Sequence, residues 1–105
     1  MNNIRTEHQA ILDELIAEAV RLDATALEVE HDEEFEEVVV FRGVTGWGMR
    51  RLRSTSPEAV ALREQLYRRR SKRHQVTIDG FAIELKVTVR DSFGEDAFRL
   101  EFRRI

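Results

Sequence analysis

The chain has no cysteine among its 105 residues. Disulfides, zinc thiolates and thiol chemistry are therefore excluded. It has one proline and five glycines, and all six fall at breaks between periodic segments. No stretch approaches the ~18 consecutive apolar residues that a membrane-crossing helix needs. The first residues, MNNIRTEHQ, lack the apolar run of a signal peptide. These absences predict a cytoplasmic chain with no membrane insertion. Lysine is scarce as well, two residues against 15 arginines. Arginine forks pair bidentately with carboxylates and phosphates, which lysine cannot do.

Reaction motifs are missing too. There is no Gly-x-Ser-x-Gly, no P-loop and no dinucleotide-binding glycine fingerprint. Gly43, Gly46 and Gly48 are closely spaced but join strands. The histidines His8, His31 and His74 are far apart and share no helix or strand face. No catalytic residue, metal ligand or cofactor is expected, and the chain reads as a non-enzyme.

What is present is a charge split. Residues 1–41 hold 12 acidic and two basic side chains, a formal −10; residues 42–105 hold 15 basic and eight acidic, a formal +7; the sum is −3. A fold built from both halves carries an acidic and a basic region that can meet each other, a second copy or a partner.

The length fits one domain, residues 1–105. Thr6 with Gln9 reads as a capping box, and Ile11, Leu12, Leu15, Ile16, Ala19 and Val20 recur at helical spacing. Leu27 and Val29 alternate with Glu28 and Glu30 as in a half-buried strand. His31–Glu37 reads as a carboxylate-rich turn, and Val38–Phe41 as a central strand. Trp47, Met49, Arg51 and Arg53 are placed on one face of a further strand or arm, with Arg50 and Leu52 on the other. Ser56–Pro57–Glu58 starts a second helix, with Ser56 as N-cap. Its apolar stripe is Ala59, Leu62 and Leu66, and Arg68, Arg69, Arg70, Lys72 and Arg73 fill its last turn. Asp79–Gly80 signals a type I′ hairpin between Gln75–Ile78 and Phe81–Arg90. Phe98, Leu100 and Phe102 alternate with Arg99, Glu101 and Arg103. The resulting expectation is an α+β two-layer sandwich in the order α-β-β-α-β-β, with room for an extra strand on one side. Its sheet is mostly antiparallel and carries both helices on one face.

Two charged runs are candidate sites. Asp32, Glu33, Glu34, Glu36 and Glu37 form an acidic docking patch; as a cation site they lack the glycine and Asp/Asn spacing of a calcium loop. Arg68, Arg69, Arg70, Lys72 and Arg73, extended by Arg51 and Arg53, can meet the chain's own acidic turn, a protein partner, or phosphates. Trp47, between two glycines, is either an interface anchor or a cover for the core edge.

Three short motifs carry a family resemblance. A helix leads into Ala24–Thr25–Ala26–Leu27–Glu28–Val29–Glu30, Val40–Phe41–Arg42–Gly43 ends a strand, and Phe93–Gly94–Glu95 precedes Ala97–Phe98–Arg99. This pattern resembles the domain that precedes the ATPase core in type II secretion and type IV pilus assembly ATPases. There the corresponding runs are Ala-Ser-Asp-Ile-His-Ile-Glu, Arg-x-Asp-Gly, and a Gly-Glu turn before an apolar strand. The P-loop core of those proteins has no counterpart here. The resemblance implies a stand-alone or excised accessory domain. Its expected function is interaction or regulation, through a protein partner or self-association. The alternative is a nucleic-acid-binding module using the arginine-rich end of the second helix.

Overall fold

The structure is a computed structural model that describes residues 10–70 and 72–105. Its elements are α1 (Ile11–Arg21), β1 (Ala26–Asp32), β2 (Phe35–Arg42), β3 (Thr45–Arg53), α2 (Pro57–Arg69), β4 (Arg73–Ile78), β5 (Phe81–Ser92) and β6 (Glu95–Arg104). The order is α-β-β-β-α-β-β-β. Each helix leads a three-stranded meander rather than a two-stranded one, which corrects the shorter order expected above. The Thr6–Gln9 capping box and His8 lie outside the described residues.

All six strands form one antiparallel open sheet in the order β3-β2-β1-β6-β5-β4. The two meanders join where β1 pairs with β6, Leu27 opposite Leu100 and Val29 opposite Phe98. β3 and β4 therefore lie at opposite edges, although α2 alone links them in sequence. Crossing five strand spacings means covering about 24 Å. A helix of 13 residues supplies about 20 Å. α2 is thus long enough to supply most of the span between the two edges. Its start is built as the sequence indicates: Ser56 accepts a hydrogen bond from the Ala59 amide at 3.1 Å, with Pro57 in the first turn.

Strand alternation sorts the residues by side. Leu27, Val29, Val38, Val40, Leu85, Val87, Phe98 and Leu100 are buried with Leu12, Leu15, Ile16, Leu62 and Leu66 in one core. The helices also contact each other, the Leu12 amide donating to Gln65 Oε1 at 2.9 Å. The opposite sheet face is a lattice of charge. Arg99 bonds Glu28, Arg90 approaches Glu28 and Glu30, Arg103 meets Glu84, and Arg51 meets Glu37. Ala26 and Ala97 are buried beneath this lattice.

One strand departs from simple alternation. Val38 faces Arg50 but Val39 faces Gly48, so Met49 is an extra residue in a bulge. The bulge shifts the phase and puts Trp47 opposite Val40. Trp47 thus lies on the side of Arg50 and Leu52, not with Arg51 and Arg53 as alternation alone requires. Gly46 has an internal reason: a Cβ there would stand 2.6 Å from the Phe41 ring, which lies across the strand.

Candidate functional site

Most of the sequence's charge split is consumed inside the fold. Acidic residues of α1, β1, β2 and the β1–β2 turn pair with basic residues from 42–105: Glu18 with Arg50, Glu37 with Arg51, Glu34 with Arg53, Asp13 with Arg69, Glu28 with Arg99. The topology explains why. The acidic strands β1 and β2 lie between arginine-bearing β3 on one side and β6 on the other.

The expected binding residues consequently separate. Trp47, Arg51 and Arg53 lie on β3, at the far edge from the Arg68–Arg73 run. Arg51 and Arg53 stack on Phe35, with 3.8 and 5.0 Å from guanidinium carbon to ring centre. Trp47 is 37% exposed and carries Arg42 at 6.0 Å from its ring.

The basic run does not fill one helical turn. α2 ends at Arg69, Arg70 caps it in an extended conformation, and Arg73 opens β4. His74 Nε2 lies 3.2 Å from the Arg69 carbonyl, placed to cap the helix end. Arg69 is largely enclosed, 2.7 Å from Asp13. Arg68, Arg70, Lys72 and Arg73 are exposed. Their carboxylate neighbours are distant: Arg68 is 3.9 Å from Glu64 and Arg73 is 3.8 Å from Glu84. Exposed pairs of that length contribute little. These cations do not meet the acidic turn, which bonds β3 instead.

This basic corner borders an open sheet edge. The Val87 amide reaches the Lys72 carbonyl at 3.4 Å, and Arg73 faces Lys86. That phase turns the backbone groups of His74, Val76 and Ile78 towards β5. It directs those of Arg73, Gln75 and Thr77 off the edge.

The acidic run is also dispersed. Only Glu33 and Glu34 form the turn, while Asp32 ends β1 and Phe35–Glu37 belong to β2. Asp32, Glu33 and Glu34 are exposed and Glu37 faces the charged lattice. Glu36 does not belong to a docking patch, because it is 0% exposed. It faces the helices, two positions before core residue Val38.

Around Glu36 lies a polar cluster that no sequence motif marks. Arg63 Nη1 donates to Oε1 at 2.7 Å; Ser54 Oγ donates to Oε2 at 2.6 Å; His31 Nδ1 stands 2.6 Å from the same oxygen. Arg63 also contacts the Tyr67 hydroxyl, which donates to Asp96 Oδ2 at 2.5 Å. Tyr67 packs edge-on against Phe98, with ring centres 5.0 Å apart. His31 is thus a strand residue in a network rather than a solvated turn residue. Burial alone would raise the Glu36 pKa, but hydrogen bonds from Ser54, His31 and Arg63 outweigh it and hold it below the ordinary carboxylate range. The Glu36 hydrogen bond raises His31 against the opposing effect of desolvation. The bond to Asp96, reinforced by burial, raises Tyr67.

Serine, histidine and a carboxylate together suggest nucleophilic chemistry, but their geometry differs from that of a hydrolytic triad. There the serine and the acid meet different ring nitrogens. Here both approach His31 Nδ1, Ser54 Oγ at 3.2 Å, and the serine hydroxyl donates to the carboxylate. What the cluster does is join β1, β2, the segment after β3, and α2. Among the described residues no group of three His, Asp or Glu side chains is placed to hold a metal ion. No described helix is long and apolar enough to cross a membrane.

The other unusual feature is the β5–β6 turn. Phe93 is 101% exposed and sits at φ 53°, followed by Gly94 at φ 83°. The left-handed region costs a side chain with a Cβ about 1 kcal/mol, and asparagine, aspartate or glycine would fit it better. No protein-family model matches this chain, and no curated protein does either.

Proposed function

We propose that this chain is a non-catalytic, cytosolic interaction domain whose basic corner docks an acidic, extended segment of a protein partner. The observation that carries this reading is the exposed set Arg68, Arg70, Lys72 and Arg73 beside the open edge of β4. The acidic hairpin that could have neutralised them lies beside β3 instead, where Glu37 pairs with Arg51 at 2.8 Å and Glu34 stands 4.0 Å from Arg53. An edge strand offers alternating N–H and C=O groups, which match a peptide backbone. A phosphate backbone has no donors to answer the carbonyls. Two rings on the sheet's charged face, where bases could otherwise stack, are covered by arginines: Phe35 lies under Arg51 and Arg53, and Phe41 under Arg99. The resemblance to the domain preceding the core of secretion and pilus ATPases fits an accessory role of this kind, with such an ATPase as a partner class.

The test is fluorescence anisotropy with a short labelled peptide of alternating glutamate and valine, compared with single-stranded RNA, at about 50 mM salt where phosphate binding is strong. The peptide should bind. The variant Arg68→Glu/Arg70→Glu/Lys72→Glu/Arg73→Glu should lose at least about tenfold in affinity while keeping the same unfolding curve. Peptide binding that is absent, or that ignores this variant, ends the reading. RNA held more tightly than the peptide transfers the corner to nucleic acid.

A further inference from the structure

Pairing within the fold leaves two small charged regions over. One is the basic corner. The other is the sheet end that carries the β1–β2 and β5–β6 turns. There Asp32, Glu33, Asp91 and Glu95 are exposed, and none forms an ion pair among the described residues. Phe93 projects from this acidic end, wholly exposed, in a backbone conformation that disfavours it. At that exposure the ring has no compensating contact among the described residues. Strain that persists without internal compensation points to a role outside the fold.

The same chain carries a receptor of matching chemistry. A cleft of about 420 Å³ runs between α1 and β4, lined by Ile16, Ala17, Val76 and Arg69 among others. Asp13 and Asp79 also line it, but each is already paired, with Arg69 and Arg21. Arg70 and Lys72 follow Arg69 in the chain, so the basic corner adjoins this cleft. An aromatic ring flanked by carboxylates is the complement of a partly apolar cleft beside exposed, weakly paired cations.

We propose that the Phe93 hairpin of one copy of this chain docks into the α1–β4 cleft of another, with Asp91 and Glu95 facing the basic corner. This rests on the docking role of that corner and names the acidic partner as a second copy. The two surfaces are different patches of one molecule, so the contact is head-to-tail and leaves an unused tip and cleft at the ends of an assembly.

Two variants test it. Phe93→Asn removes the ring and puts a turn-favouring residue at the left-handed position, so the fold is retained. Ala17→Glu adds a carboxylate in the cleft while keeping a good helix former one turn before Arg21. Sedimentation velocity should show the wild-type mass rising with concentration above the 12.3 kDa monomer. Each variant alone should associate at least about tenfold more weakly, as expected for loss of an aromatic anchor. An equimolar mixture of the two should regain a dimer, because one brings an intact cleft and the other an intact tip. A wild type that stays monomeric at about millimolar concentration, where even a weak interface associates, overturns the proposal. So does unchanged association of Phe93→Asn, or a mixture that stays monomeric. The acidic-peptide titration remains independent. Peptide binding to a purely monomeric wild type would sink self-docking and leave the corner's role standing.

Discussion

Glu36 and Glu37 are adjacent on β2 and each holds an arginine at nearly the same distance, Arg63 at 2.7 Å and Arg51 at 2.8 Å. One residue of strand turns them to opposite sides of the sheet. The Glu36 side chain has no exposure, and that of Glu37 is 30% exposed. Distance alone would rank the two pairs as equals. Burial separates them, because a buried carboxylate that loses its place leaves its partners stranded, whereas water readily replaces a partner on the lattice.

The comparison is broken most forcefully at the buried member. Glu36→Ala leaves Arg63, His31 and Ser54 without their common acceptor and opens a void under α2. Arg63 is partly exposed and can turn towards water, so the cost belongs near the lower end for such sites, about 3 kcal/mol. Urea unfolding at neutral pH measures it. A loss below about 1 kcal/mol would mean that the cluster is incidental to stability.

A second measurement sharpens the contrast through pH. His31 is raised by its bond to Glu36, so its contribution is complete below its ordinary value of 6.5 and is lost as pH rises through the higher folded value. Glu36 is lowered, so its contribution is complete above 4.5 and is lost as pH falls through the lower folded value. Stability from this pair should therefore be greatest between pH 4.5 and 6.5. His31→Gln should abolish the decline on the alkaline side and keep the one on the acid side, read as unfolding midpoint against pH. A decline above pH 6.5 that survives in His31→Gln would assign it to another group.

The buried cluster was legible in the sequence, though not through any motif. Val29, Val38 and Val40 mark the core side of β1 and β2. Stepping two residues out from that set reaches His31 on one strand and Glu36 on the other. On α2, Arg63 adjoins core residue Leu62, and Tyr67 lies one turn further on. Two polar residues continuing a core stripe, opposite a helix that also bears an arginine, are the available signal. Reading His31–Glu37 as a single turn hid it, because a turn has no alternation to extend. The strand pairing of the two meanders was less accessible. Local alternation identifies β1 and β6 as half-buried strands, but their neighbourship rests on contacts some 70 residues apart, which no local pattern encodes. The bulge at Met49 was illegible for a related reason. It inverts the face of Trp47 by inserting one residue, and Trp-Gly-Met-Arg carries no mark of which residue is extra. The Ser56–Pro57 start and the Asp79–Gly80 turn were readable because each is decided within four residues: Ser56 caps α2, and Asp79 and Gly80 both have positive φ.

The smallest effect is expected at the exposed pair, and it divides into parts that salt can separate. Arg51 bonds Glu37 and also stacks over Phe35 with its guanidinium carbon 3.8 Å from the ring centre. Glu37→Gln removes only the ion pair and should cost about 0.3 kcal/mol at low salt, vanishing at high salt. Arg51→Ala removes the stack as well and should cost about 1 kcal/mol, most of it surviving high salt, because stacking depends on contact more than on long-range charge. Arg51→Lys keeps the charge but loses the flat guanidinium, so it should lie close to Arg51→Ala. If Arg51→Lys instead matched the wild type, the lattice would be held by charge alone. Glu37 and Glu36 would then differ only in how much water reaches them.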